Sequence, residues 1–148
     1  MNNISKVFDE LIKTWNQHDA DAAATYFDEN ISWRDYSLSK PFKGVEEATA
    51  AFKSYLKAFP DLQLKVLNKL VAEDMVAIQI EFTGTNTGPL EFPGFSFPTT
   101  NRKVVTTDAI FLKFRNGKLI EVHDYPDVQG MMEQLGLQPD HAEQQQAI

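Results

Sequence analysis

Two aspartates in the last third of the chain are the residues whose type and spacing best suit catalysis. Asp108 and Asp124 lie in two segments of alternating apolar residues, which Asn116-Gly117 joins as a β-hairpin. A two-residue turn would mix polar and apolar residues on both faces of this hairpin. A three-residue loop with Gly117 in the left-handed conformation places Asp108 directly opposite Asp124 on one nearly continuous apolar face, so we expect this register. The same face then carries Ile110, Leu112, Ile120 and Val122.

A carboxylate on an apolar face is costly to ionise, and a second carboxylate nearby raises the cost further. One of the two aspartates is therefore expected to hold its proton near neutral pH, as general acid–base catalysis requires. We expect Asp124 to abstract or return a proton, and a protonated Asp108 to donate a hydrogen bond to a developing enolate oxygen. The alternative is structural, with Asp124 bonded to backbone groups before the last helix and Asp108 at a hydrated strand end.

Other kinds of reactive site have less support in the sequence. The chain has no Cys, which excludes disulfides, thiolate nucleophiles and Cys-based zinc sites. The positions of His18, His123 and His141 do not form a metal-binding pattern, so we expect no metal. There is no Gly-rich phosphate loop and no Ser nucleophile elbow. Arg34 with two aspartates would suit the Asp-Arg-Asp set of some epoxide hydrolases, although the surrounding motif does not match.

The elements that position the aspartates begin with helices. Apolar residues at spacings of three and four predict a first helix after an N-cap at Asn3. Asp19 or Asp21 can cap a short second helix. A third amphipathic helix follows Gly44 and stops at Pro60, because proline cannot continue the hydrogen-bond ladder.

Strands dominate the second half of the chain, where the apolar period changes to two. A last short helix over Val128–Leu135 follows, with Asp127 as its N-cap and Gly136 as its stop. Three prolines among Phe92, Phe95 and Phe97 predict that residues 88–101 form a loop, whose aromatic tip is a candidate lid over a pocket. Predicted strands cover residues 31–36, 62–66, 75–82, 103–114 and 118–125.

Helices followed by hairpin-linked strands predict one α+β domain with helices on one face of a largely antiparallel sheet. We expect this domain to span residues 1–139 and the polar, Gln-rich residues 140–148 to form a loose tail. Ala109 and Phe111 lie beside Lys113 on the outer face of the predicted sheet, and such a face is normally covered. A homodimer is therefore expected.

The composition narrows the range of partners and compartments. A formal net charge of −7 disfavours binding to phosphate backbones, so we expect no nucleic-acid partner. No segment approaches the roughly 20 apolar residues of a membrane span. The first residues lack the apolar core of a signal peptide, which predicts a cytoplasmic protein.

Several segments resemble one protein family. Residues 117–130, which read GKLIEVHDYPDVQG, and Gln134-Leu135-Gly136 resemble the C-terminal signature of SnoaL-like polyketide cyclases. The segments AFPDL at residues 58–62 and GTNTG at residues 84–88 resemble other motifs of this family. The resemblance implies the cone-shaped, nuclear-transport-factor-two-like fold that ketosteroid isomerase and scytalone dehydratase share. In that fold, N-terminal helices pack on the concave face of a curved, mostly antiparallel sheet and enclose a pocket.

The resemblance also implies roles for individual residues. Asp124 matches the acid–base carboxylate with which a cyclase of this family closes a ring by aldol condensation. Asp108 and Ile110 match pocket positions where that cyclase has an amide and a histidine. Asn86 stands where many relatives have His, and Trp33 stands where the cyclase has Asn. No organic cofactor is implied.

The favoured function is an enzyme that acts on a small, mostly apolar carbonyl compound, as an isomerase, cyclase or lyase. Trp33, Tyr55 and Phe59 are candidate pocket walls beside Asn86 and Ile110. One alternative is a non-catalytic module that binds a small molecule on the same scaffold. Another is a protein-interaction domain that uses its convex sheet face.

Overall fold

The computed structural model describes residues 3–137, so the predicted tail at residues 140–148 lies outside the described residues. The described residues form four helices and eight strands. None of these helices has the length and apolar character needed to cross a bilayer. In chain order the elements are α1 (Ile4–Asn16), α2 (Ala20–Ala24), β1 (Phe27–Asp35), β2 (Phe42–Lys43), α3 (Gly44–Ala58), β3 (Gln63–Ala72), β4 (Met75–Thr85), β5 (Leu90–Phe92), β6 (Phe95–Phe97), β7 (Lys103–Arg115), β8 (Lys118–Pro126) and α4 (Val128–Leu135).

Six of the strands form one curved sheet in the order β2-β1-β8-β7-β4-β3. Strand β1 runs parallel to β8, and all other neighbours in this sheet are antiparallel. Helices α1 and α3 cover one face of the sheet, which we call the cavity face, and the opposite side is the outer face. The predicted α+β class with a mostly antiparallel sheet is confirmed.

The N-terminal helices start at the predicted caps. The side chain of Asn3 accepts a hydrogen bond from the backbone N–H of Lys6, and the side chain of Asp19 accepts one from that of Ala22. Each cap satisfies a backbone donor that has no partner within the helix. The buried side of α1 carries Ile4, Phe8, Leu11 and Trp15.

The end of α1 is fastened to strand β3. The side chain of Asn16 accepts a hydrogen bond from the Leu64 backbone N–H at 2.7 Å and donates one to the Leu64 carbonyl at 2.9 Å. The ring Nε2 of His18 lies 2.7 Å from the carbonyl oxygen of Leu62 and donates to it. These bonds fix the position of Trp15 above the sheet.

The β7–β8 hairpin has a different register from the predicted one. Arg115 pairs with Lys118 across a two-residue turn in which Asn116 and Gly117 both have positive φ, at 52° and 74°. A bulge at Ile120 then shifts the pairing, because an extra residue in one strand changes the register without a new turn. The tight turn and a continuous apolar face are therefore compatible. Ile110, and not Asp108, faces Asp124, and Asp108 faces Pro126.

The segment predicted to be a loop at residues 88–101 contains a small β-hairpin. Strands β5 and β6 pair with each other as a separate two-stranded sheet. The prolines do not interrupt it, since Pro89 and Pro98 flank the strands and Pro93 lies in the turn. Gly94 follows Pro93 with φ of 81°, which is the conformation that a Pro-Gly turn requires.

Asn86 ties the base of this small hairpin to the end of α3. Its buried side chain donates hydrogen bonds to the carbonyls of Ala58 and Gly88. It also accepts bonds from the backbone N–H and the hydroxyl of Thr100, at 2.7 and 2.8 Å. The sequence suggested a pocket residue here, whereas Asn86 lies outside the cavity wall and joins three backbone segments.

We predict that Asn86→Ala lowers the free energy of unfolding by about 2–4 kcal/mol, because it leaves several buried backbone groups unpaired. Chemical denaturation monitored by circular dichroism measures this change. Asn68→Ala is the matched control, since Asn68 makes one side-chain bond at an exposed position and its loss should change stability by less than about 0.5 kcal/mol. Equal effects of the two substitutions would contradict the anchoring role of Asn86.

Candidate functional site

A cavity of about 100 Å³ lies between the cavity face of the sheet and helices α1 and α3. Its wall is mostly aromatic and aliphatic, and three carboxyl groups interrupt it on strands β1, β7 and β8. No Lys, Arg or His belongs to the wall among residues 3–137. The aromatic part of the wall consists of Trp15, Trp33, Phe42, Phe52, Tyr55 and Phe82.

The cavity brings together five of the seven residues that the sequence suggested. Trp33, Tyr55 and Ile110 line it, together with the two aspartates of the hairpin. Phe59 and Asn86 do not. Phe59 is fully buried outside the cavity wall, where its ring packs edge-on against Phe82 with a centroid distance of 5.2 Å. Its position just after α3 directs it into a second apolar cluster around the small hairpin.

The small hairpin borders the cavity through Phe92. The ring of Phe92 lies 5.6 Å from that of Phe42 and 5.4 Å from that of Tyr55, measured between centroids. Both partners belong to the cavity wall. The role of this hairpin as a mobile lid stays a prediction.

Asp108 and Asp124 share the cavity face although they are not directly opposite each other. Beyond the bulge, Val122, Asp124 and Pro126 of β8 pair with Leu112, Ile110 and Asp108 of β7 on this face. The two carboxyl groups are therefore diagonal neighbours, and each affects the pKa of the other. Two ionised carboxylates have no donor between them. A hydrogen bond between these groups therefore requires that the pair hold one proton.

Burial raises the pKa of both aspartates. Desolvation raises the pKa of Asp124 well above its usual value, and the neighbouring charges of Asp108 and Asp35 raise it further. Desolvation also raises the pKa of Asp108, and the neighbouring Asp124 opposes part of this shift. The larger shift is at Asp124, and which of the two groups holds the proton stays a prediction.

Asp35 is a third carboxyl group in the cavity wall, which the sequence did not single out. It pairs with Asp124 in the parallel register of β1 and β8 and is only 3% exposed. Its oxygens accept hydrogen bonds from the Tyr55 hydroxyl and from the Ser37 backbone N–H, both at 2.9 Å. Strand alternation from Trp33 would have placed Asp35 on the same face, had the face itself been known.

Tyr55 acts as a fixed donor to Asp35. Burial raises the pKa of the Tyr55 hydroxyl well above its ordinary value, and the charges of Asp35 and Asp124 raise it further. The hydroxyl therefore keeps its proton. A carboxylate that receives such a bond tolerates an apolar wall better than an unpaired one.

Arg34 lies on the outer face and does not approach these carboxyl groups. Its guanidinium group donates to the carbonyl of Ser39 at 3.0 Å and lies 4.9 Å from the centre of the Tyr36 ring. The two residues next to it on β1, Trp33 and Asp35, point to the cavity. The Asp-Arg-Asp set considered from the sequence is therefore not assembled.

The arrangement provides an acid and a base at the edge of an apolar cavity. In a pair that holds one proton, the protonated carboxyl group can donate and the ionised one can accept a proton from a molecule in the cavity. Within residues 3–137, no group of three or more His, Cys, Asp or Glu residues has the arrangement of a metal site.

A family model for SnoaL-like polyketide cyclases matches residues 5–135 of the chain. Among solved structures, AclR from Streptomyces galilaeus, described as a candidate hydroxylase, is 27% identical, with a TM-score of 0.76 over 92% of this chain and 97% of that one. TsrD from Streptomyces laurentii is 18% identical, with a TM-score of 0.78 over 93% and 99% of the two chains. A SnoaL-like polyketide cyclase from Agrobacterium tumefaciens is 20% identical, with a TM-score of 0.75 over 92% and 100%. A comparison with curated proteins gave no significant match.

We predict that Asp124→Asn becomes increasingly stable relative to the wild type as the pH rises above about 4, the usual pKa of an unfolded aspartate. Folded Asp124 binds its proton more tightly than unfolded Asp124, because its folded pKa is raised. The folded wild type therefore loses stability as the pH rises from the unfolded pKa to the folded one, whereas the amide has no proton to lose.

Thermal unfolding of both proteins across this pH range measures the difference. Asp21→Asn is the matched control, since Asp21 is an exposed residue of α2 that lies outside the cavity. A constant difference between the wild type and Asp124→Asn at all pH values would show that Asp124 is not a group of raised pKa.

Proposed function

Since the chain belongs to the SnoaL-like polyketide cyclase family, we propose that it is an enzyme of acid–base chemistry that acts on an apolar carbonyl compound in the cavity. The reaction class is that of an aldol cyclase, an isomerase or a lyase. The observation that carries this proposal is the pair of neighbouring aspartates on an apolar wall, whose pKa values burial raises.

In the proposed reaction, the Asp108 carboxylate removes a proton from the carbon next to the substrate carbonyl. The Asp124 carboxylic acid donates a hydrogen bond to the carbonyl oxygen and stabilises the enolate charge that forms there. In a cyclase, the enolate carbon then attacks a second carbonyl of the same molecule. The new alkoxide takes up the proton of the carboxyl pair, so that atoms and charge balance without a cofactor.

The composition of the wall supports an uncharged substrate. Within the described residues, the wall has aromatic and aliphatic side chains, three carboxyl groups and no basic group. An anionic compound would be repelled by Asp35 and Asp108, whereas a neutral carbonyl compound meets no such repulsion. The low dielectric of such a site also strengthens the hydrogen bond from Asp124 to an enolate oxygen.

We predict that the wild-type protein accelerates exchange of the α-hydrogens of cyclohexanone for deuterium in D₂O. Removal of an α-hydrogen is the step that all three reaction classes have in common, and return of a deuteron from D₂O to the same carbon makes that step visible as exchange. Asp124→Asn and Asp108→Asn should each lower this rate by about 10²–10⁴-fold, the usual contribution of a positioned acid or base. Proton NMR measures the loss of the α-hydrogen signal with time.

Asp21→Asn serves as the control, because it removes a carboxylate that lies outside the cavity. Binding of cyclohexanone without any acceleration of exchange would favour a non-catalytic binding module. Exchange that persists in both cavity variants would show that the reaction does not use the carboxyl pair.

We also propose that the protein forms a homodimer through the outer face of the sheet. This face exposes an aromatic cluster that consists of Tyr36, Phe111 and Tyr125, and the last two are 42% and 47% exposed. The rings of Tyr36 and Tyr125 are stacked at 4.4 Å, and Phe111 meets Tyr125 edge-on at 6.2 Å. Contact through this cluster would leave the cavity, on the other side of the sheet, open to substrate.

Light scattering at micromolar concentration should give the mass of a dimer, and Phe111→Glu should give that of a monomer. A charge at the centre of an apolar interface would remain desolvated and unpaired. Ala50→Glu, on the exposed side of α3, adds the same charge away from the outer face and should leave the dimer intact. A monomer mass for the wild type would contradict the proposal.

A further inference from the structure

Asp35 differs from the other two carboxyl groups of the cavity wall in the donors that surround it. The Ser37 backbone N–H and the Tyr55 hydroxyl donate to its two oxygens at 2.9 Å each, and the Ser37 hydroxyl donates to the first of these oxygens. The Tyr55 hydroxyl keeps its proton, because burial raises its pKa well above the ordinary value. Donors on both oxygens favour the ionised carboxylate and leave it few free positions at which to accept a proton. Asp35 is therefore a fixed negative charge and not the acid or the base.

The strand pairing places this charge beside Asp124. Asp35 on β1 and Asp124 on β8 are partners in the parallel register, so their side chains leave the sheet on the same face. Both residues line the cavity, and Asp35 is only 3% exposed. Little water can therefore screen the charge of Asp35 from its neighbour.

The other groups that face Asp124 do not cancel this charge. Asp108 on β7 is a like charge when it is ionised, and the carboxylate of Asp127 lies close enough to Asp108 to raise its pKa. Tyr55 on α3 is neutral, and α1 contributes an aromatic ring to the wall. Strands β2, β3 and β4 contribute only apolar residues. Within the described part of the chain, the wall contains no basic side chain.

We propose that Asp35 is a positioning residue of the proposed reaction, whose fixed negative charge extends to higher pH the range in which the Asp108–Asp124 pair holds one proton. A like charge disfavours the loss of a proton from its neighbours. The effect applies to the pair as a whole, whichever of the two groups carries the proton. The inference rests on the proposed function in one respect, since the pair supplies the acid and the base of that reaction.

The substitution Asp35→Asn removes the charge with little change in shape. The amide oxygen can keep both hydrogen bonds from Ser37, and the amide NH₂ group can donate to the hydroxyl oxygen of Tyr55. Glu29→Gln is the matched control, because it removes an exposed carboxylate from the same strand, outside the cavity wall. If Asp35→Asn does not fold, Asp35→Ser removes the same charge with a smaller polar side chain.

The carboxyl carbons of ¹³C-labelled aspartate follow the titration of the pair directly in NMR spectra. Asp108→Asn and Asp124→Asn assign the two signals. In Asp35→Asn the titration of the pair should move to lower pH by roughly one to two pH units, the size of effect that one nearby charge has on a buried group. Glu29→Gln should leave the titration where it is in the wild type.

The pH dependence of α-hydrogen exchange in cyclohexanone provides a second measurement. The rate should rise and then fall with pH as the pair passes through the state with one proton, and this whole profile should move to lower pH in Asp35→Asn. A purely structural Asp35 behaves differently, because its loss would lower the rate at every pH and leave the profile in place.

Two results would overturn the role of Asp35. They are carbon signals of the pair that titrate at the same pH in Asp35→Asn and the wild type, and a shift of equal size in Glu29→Gln. The outcome is separable from that of the proposed function. A shifted titration in a protein that does not exchange cyclohexanone supports the effect of the charge and argues against the reaction. Exchange with a pH profile that Asp35→Asn does not move supports the reaction and argues against the role of Asp35.

Discussion

An apolar wall can hold several carboxyl groups only if their charges are removed or balanced, and this constraint governs the site. Ionised carboxylates in a low dielectric are strongly disfavoured, and they repel each other. Two features of the wall lower the cost of these carboxyl groups. Asp35 receives hydrogen bonds from Tyr55 and Ser37, whereas Asp108 and Asp124 have raised pKa values. The burial that sets this constraint therefore also leaves two titratable groups of raised pKa side by side in the cavity wall.

The order of the strands brings these three carboxyl groups together on the cavity face. Three neighbouring strands, β1, β8 and β7, each contribute one aspartate to the cavity face. The bulge at Ile120 is essential to this arrangement, because a regular ladder from the two-residue turn would send Asp124 to the opposite face from Asp108. A local irregularity in a single strand therefore decides whether the two aspartates share the cavity face.

Local signals in the sequence predicted most of the elements, and non-local pairing accounts for most of what was missed. The caps Asn3, Asp19 and Asp127 and the period of the apolar residues located the helices well. The hairpin register was wrong, since a bulge leaves no distinct mark in an alternating pattern. Asp35 was missed because its importance comes from the parallel pairing of β1 with β8.

The parallel pairing of β1 with β8 has a consequence for how the protein is made. These strands come from opposite ends of the domain, yet they are adjacent in the middle of the sheet. Contacts between segments so distant along the chain form late and slow the folding of a domain. During synthesis, helices α1 to α3 and strands β1 to β7 leave the ribosome before β8, the strand that completes the cavity. The nascent chain therefore exposes an unpaired edge of β1 until β8 has been synthesised. During this interval the chain is most prone to aggregate with other chains.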